Sequence, residues 1–294
     1  MSIFEGAGVA LITPMNADGS VNYDKLEELL EMQIAGGTDA IISCGTTGEA
    51  STLSEEEHIE CIRFTCEKVK GRIPVVVGTG SNSTYTALQL SKESKDAGAD
   101  ALLLVSPYYN KATQAGLVKH FGTIAGEVGL PVILYNIPGR TVIGIPMEAY
   151  TRLAEHPNIN GVKEASGDFT LIGRVAAELK GKLFLWSGND DNTIPMMALG
   201  ALGVVSVASN ILPDQVARLC KYCLDGDYQS ANELYAAYGA LFRALFIETN
   251  PIPVKAAMQR IGTDSGILRR PLVPISEAHL GVLLKELEHA GLVR

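Results

Sequence analysis

Lys163 closes a short apolar run, Asn160-Gly161-Val162-Lys163-Glu164-Ala165-Ser166, where a strand is expected to finish. An amine leaving an apolar strand is partly desolvated, which disfavours the ammonium and makes the neutral nitrogen available as a nucleophile toward carbonyls. A solvated lysine in a strand-to-helix loop fits this segment equally well, so the polar residues ending the other apolar runs must decide. The second run closes on Gly45-Thr46-Thr47-Gly48-Glu49, whose hydroxyls and glycine-flanked backbone let donors approach a carboxylate, or simply cap a turn. The fourth closes on Ser106-Pro107-Tyr108-Tyr109-Asn110 and the fifth on Tyr135-Asn136-Ile137-Pro138-Gly139-Arg140-Thr141. A phenol at a strand end can carry a proton, and a guanidinium can hold a carboxylate bidentately. One lysine, paired hydroxyls, a tyrosine and an arginine together describe imine chemistry on an oxo acid.

Eight apolar, β-branched runs must position these groups: Ala7 to Thr13, Ala40 to Cys44, Pro74 to Gly78, Ala101 to Ser106, Val132 to Asn136, Ile159 to Glu164, Leu183 to Ser187 and Gly203 to Val207. They are continuous and not alternating, as in strands covered on both faces. Between them lie helical stripes, for example Leu26, Leu29, Leu30 and Ile34, or Ile59, Ile62, Cys66 and Val69. Ser54 with Glu57 forms a capping box, Asp168 opens another helix, and Pro146 suits the first turn of a helix that Pro157 ends. Eight strand-then-helix units predict an α/β fold, a (β/α)8 TIM barrel over residues 1–224, with a C-terminal helical extension over 225–294. Active sites of such barrels lie at the C-terminal strand ends, where the polar residues fall. The alternative open doubly wound sheet expects a glycine-rich phosphate turn, and Gly6-Ala7-Gly8 and Gly78-Thr79-Gly80 each lack the third glycine. Ser187-Gly188-Asn189-Asp190-Asp191 reads as a cap for the next helix more readily than as a cation site.

The 294 residues are 47% apolar and 19% charged, an ordinary globular composition, and the net charge of −9 argues against nucleic acid or an anionic membrane as partner. Small molecules are the expected ligands. No signal-like N-terminus and no uncharged span of membrane length is seen, so a cytoplasmic location is expected. Five cysteines, an odd number, suit a reducing compartment, and Cys220 and Cys223 fall on a helical face with Val216 and Leu219. His58, His120, His156, His279 and His289 are scattered without metal-ligand spacing, so neither a metal nor another cofactor is expected.

The stretches Gly45-Thr46-Thr47-Gly48-Glu49, Pro107-Tyr108-Tyr109-Asn110, Tyr135 to Thr141, Gly161-Val162-Lys163-Glu164-Ala165 and Asn250-Pro251-Ile252-Pro253-Val254-Lys255 make the whole chain resemble the pyruvate-dependent class I aldolase superfamily. Within it, the paired threonine and Arg140 resemble the branch that condenses pyruvate with aspartate semialdehyde in lysine and diaminopimelate biosynthesis. The other branches, lyases of 2-oxo-3-deoxy sugar acids or of N-acetylneuraminate, are the runner-up, and a catalytically silent binding barrel is a third reading. The resemblance implies that Lys163 forms the imine and that Tyr135 is the general acid/base, in a hydroxyl relay with Thr46 and with Tyr109 from a neighbouring subunit. It implies that Thr47 and Val205 hold pyruvate, that Arg140 grips the semialdehyde carboxylate, and that Gly188 leaves room beside the imine. A homotetramer, built as a dimer of dimers, is implied as well. Lysine-inhibited relatives carry an interface site that His58, Asn82, Tyr108 and Ser51 match here. Thr86 and Glu55 depart from it, so weak or absent inhibition by lysine is expected.

Overall fold

The computed structural model describes residues 1–293. Eight parallel strands close into a barrel in chain order: β1 Gly6–Ala10, β2 Ala40–Ser43, β3 Val75–Gly78, β4 Ala101–Val105, β5 Val132–Asn136, β6 Ile159–Glu164, β7 Phe184–Ser187 and β8 Gly203–Ser206. The apolar runs are continuous because the sheet is covered twice. Ile42, Val76, Leu103, Ile133, Trp186 and Val205 fill the barrel with Phe4 as a plug, while Val9, Ile41, Val77, Leu102, Leu134, Val162 and Val204 face the helices.

Local signals set the helix starts. Ser54 and Glu57 exchange reciprocal hydrogen bonds at the head of Glu55–Val69, and Asp168 Oδ1 accepts from Thr170 N and Leu171 N at the head of Phe169–Glu178. Two boundaries differ from expectation. β1 stops at Ala10, because Ile12 N donates to Asn210 Oδ1 (3.1 Å) and Thr13 Oγ1 to Gly48 O (2.7 Å); the rest of the apolar run is a buried loop crossing the barrel mouth. Pro146 precedes the helix Met147–Leu153 as an extended N-cap, since its ring fits the entry as well as the first turn. Cys220 and Cys223 are buried and unbonded on the helix Pro213–Leu224.

The C-terminal helices Tyr228–Ala244, Ile252–Ile261 and Glu277–His289 return to the barrel. Lys255, fully buried, donates to Glu49 Oε1 (2.6 Å) and to Ile267 O (2.8 Å), while Arg269 N donates to Glu49 Oε2 (3.0 Å). Glu49 belongs to the loop after β2, so this ion pair fastens the extension to the catalytic end of the barrel. Among the described residues no helix is long and apolar enough to cross a membrane, and no cluster of three or more His, Cys, Asp or Glu could hold a metal.

Candidate active site

Parallel register makes Tyr135 and Lys163 direct neighbours on β5 and β6, and Trp186 on β7 is the partner of Lys163 on the other side. Partners in a parallel ladder project to one face, so amine, phenol and indole share the barrel interior. Lys163 is 6% exposed, and its Nζ lies 4.1 Å from the centroid of the Tyr135 ring. Trp186 stacks on Phe4 (5.1 Å between centroids) and fits over Gly161, where an added Cβ would meet the indole at 2.7 Å. This apolar surrounding explains the amine: burial pulls the Lys163 pKa down to about 7, with the Asp190 carboxylate opposing and Arg140 assisting. Burial pushes the Tyr135 phenol up to about 12, against weaker opposing effects of Arg140 and the Thr46 hydroxyl, so it stays a proton donor at neutral pH. A lysine able to lose its proton beside a phenol that keeps its own suits addition to a carbonyl followed by proton transfer.

The hydroxyl and cationic groups converge on the same strand ends. Thr47, buried, accepts at Oγ1 from Asn250 Nδ2 (2.9 Å), and the Asn250 backbone oxygen accepts from Arg140 Nη2 (3.0 Å). Asn250 therefore links the loop after β2 to the loop after β5. A cavity of about 440 Å³ opens above, with Thr46, Tyr135 and Arg140 on its wall. Lys163 and Thr47 are not on that wall. A Cβ on Gly188 would lie 2.6 Å from Ala165 Cβ and 3.2 Å from Lys163 Cε, so any side chain there would press on the lysine. Val205 is buried in the barrel filling. Tyr109 is off the cavity wall, 87% exposed on a backbone with φ 73°.

Ser51, His58 and Tyr108 line the same cavity with Glu55 and Thr86, whereas Asn82 is off its wall and accepts at its backbone oxygen from Asn110 Nδ2 (2.8 Å). His58 already uses Nε2 on Gly78 O (2.9 Å), and burial lowers its pKa. Asp190 does cap, but a different element: its carboxylate accepts from Ser206 Oγ, Val207 N (3.0 Å) and Ala208 N (3.1 Å), holding the turn after β8 instead of the helix that follows β7. Asn250 stands in the sequence only as part of a stretch shared with the superfamily, and Asp190 only as a candidate cap; their contacts with Thr47, Arg140 and the turn after β8 become visible only in the fold.

Fold and site together define a (β/α)8-barrel lyase. A profile of the Dihydrodipicolinate synthetase family matches residues 3–290. The chain is 51% identical over 296 residues to a 4-hydroxy-tetrahydrodipicolinate synthase of Thermoanaerobacter sp. (strain X514), covering 100% of this chain and 99% of the relative. It is also 51% identical over 294 residues to the enzyme of that name from Lachnoclostridium phytofermentans, with both chains fully covered. Among solved structures, dihydrodipicolinate synthase from Aquifex aeolicus superposes with a TM-score of 0.96 at 44% identity, over 98% of this chain and 99% of that one. The chloride-inhibited enzyme of Acinetobacter baumannii, complexed with pyruvate, does so with a TM-score of 0.96 at 46% identity over the same shares. The chain belongs to the dihydrodipicolinate synthetase family, and it is an enzyme.

Proposed function

We infer that this enzyme condenses pyruvate with L-aspartate 4-semialdehyde through an imine on Lys163, giving 4-hydroxy-tetrahydrodipicolinate. The observation that carries the reading is the buried Lys163 amine, its pKa near 7, beside the Tyr135 phenol. The neutral amine adds to C2 of pyruvate and water leaves, forming the imine. Loss of a C3 proton gives the enamine, whose C3 attacks the aldehyde carbon while a phenol protonates the new alkoxide. The amino group of the semialdehyde then displaces Lys163, closing the ring and freeing the amine. Tyr135 is the acid/base, and Thr46 and a Tyr109 donated by a partner subunit complete the proton path. The exposure of Tyr109 supports that donation and a homo-oligomer. Thr47 and Val205 hold the pyruvate end, Gly188 leaves space for it, and Arg140 takes the carboxylate of the semialdehyde. The enzyme works in the cytoplasm, in lysine and diaminopimelate biosynthesis.

Arg140→Ala is expected to raise KM for the semialdehyde by about 10-fold or more, the worth of one charge-assisted contact. KM for pyruvate should change little; equal changes in both would make the arginine structural. Lysine is expected to inhibit weakly: Thr86 on the cavity wall carries no charge to hold an ammonium, and losing such a contact weakens binding by about 10-fold or more. Potent inhibition of the pure enzyme at modest lysine concentration contradicts this. The overall reading is tested by a coupled assay in which added dihydrodipicolinate reductase consumes product and oxidises nicotinamide. Turnover with pyruvate and the semialdehyde is expected; none, from protein that still traps pyruvate, would shift the reading to an aldolase for a 2-oxo-3-deoxy sugar acid.

A further inference from the structure

Behind the lysine and the phenol, on the outer face of the barrel wall, lies a second polar cluster. Side chains alternate along a strand, so the next residue of each strand, Asn136 and Glu164, turns toward the helices. These two are again register partners. Asn136 Nδ2 donates to both Glu164 oxygens, at 3.1 Å to Oε1 and 2.9 Å to Oε2. Oε1 also accepts from Ser166 N (2.8 Å) in the turn after β6, and Oε2 from the Tyr150 hydroxyl (3.0 Å) on the helix Met147–Leu153. Asn136 Oδ1 accepts from Ile145 N (3.0 Å), where the chain returns from the Arg140 loop. Asn136 and Tyr150 are fully buried and Glu164 is 2% exposed.

Among the described residues no cation pairs with this carboxylate; neutral donors from three elements hold it. A buried carboxylate without a counter-charge is costly unless every lone pair is used, so the cluster is rigid while intact and fails when one donor is lost. The last backbone rungs of this wall are Ala165 N to Asn136 O (2.9 Å) and Gly188 N to Glu164 O (2.8 Å). Past them, the side-chain cluster ties the two strand ends to each other and to the helix Met147–Leu153.

We propose that Glu164 is a positioning residue for the imine chemistry: by gathering Asn136, Ser166 and Tyr150 onto one carboxylate it sets the distance between the Lys163 amine and the Tyr135 phenol, and through Ile145 it anchors the Arg140 loop. This rests on Lys163 being the imine-forming residue. Glutamine cannot replace the glutamate. Asn136 is oriented by Ile145 N and presents its NH2 to both positions of the Glu164 head, so either orientation of a glutamine amide sets donor against donor.

The test compares the wild type, Glu164→Gln and Tyr150→Phe, which removes only the helix donor and leaves the Asn136 contacts in place. The readouts are the rate of pyruvate-dependent inactivation by borohydride, together with kcat and KM, well below each melting temperature. A displacement of about 1 Å at reacting groups costs up to about 100-fold. Glu164→Gln should slow trapping and kcat by at least about tenfold, and Tyr150→Phe should slow both by a smaller factor. A merely structural role would lower the melting temperature and leave these rates unchanged. Trapping by Glu164→Gln within twofold of wild type overturns the proposal, as does a melting temperature lowered with trapping and kcat unchanged. Should Glu164→Gln fail to fold, Tyr150→Phe, lacking only the helix donor, must still slow trapping; an unchanged rate overturns it. Absence of trapping in the wild type would instead refute the role of Lys163, a result distinguishable from either.

Discussion

Replacing Lys163 by alanine is expected to lower turnover by about 10⁴-fold or more, because the covalent route disappears and, among the described residues, no other lysine amine lies over the Tyr135 ring. Lys163→Arg should fail as completely, since a guanidinium keeps its protons and cannot add to a carbonyl. The pH dependence follows from the same burial. The reactive form is the neutral amine, and with the pKa near 7 its fraction rises through pH 6 to 8 and levels off above. Pyruvate trapping by the wild type should therefore accelerate across that range and then plateau. An exposed lysine would keep accelerating toward pH 10. Asp190 opposes the downward shift, so Asp190→Asn should move the midpoint lower still.

The second large effect concerns stability. Lys255→Met keeps all but the last atom of the side chain's reach but leaves the buried Glu49 carboxylate, 2% exposed, without its ion-pair partner. Removing one partner of a buried pair costs about 3–5 kcal/mol, far more than the small packing difference between the two side chains. A urea titration should show that loss. The double variant Glu49→Gln with Lys255→Met, which removes the stranded charge, should recover much of it. Activity should fall as well, since Glu49 ends the loop that carries Thr46 and Thr47 and adopts a left-handed backbone, φ 53°. A Lys255→Met protein as stable as the wild type would mean that water reaches Glu49.

The barrel is legible because a parallel sheet covered on both faces writes each strand as an unbroken apolar run, and the candidate site residues stand where those runs stop. Lys163, Tyr135, Thr46, Thr47 and Arg140 all lie at such ends. The limit of that signal appears at β1, where a buried loop prolongs the apolar run past the last ladder residue. It appears again at Asn250, which meets Thr47 across 203 residues and Arg140 across 110; no local pattern encodes a contact at that separation. Glu164 is the sequence neighbour of Lys163. Its contacts with Asn136 and Tyr150 are visible only from alternation and register in the fold, since periodicity identifies a strand without saying which side chain points inward.

Peptide mapping by mass spectrometry, after the wild type is treated with pyruvate and borohydride near pH 8, tests the central claim most directly. The account predicts one reduced pyruvate adduct, on the peptide containing Lys163, and none on Lys163→Ala under the same conditions. An adduct on another lysine, or no adduct from protein that turns over both substrates, would contradict it.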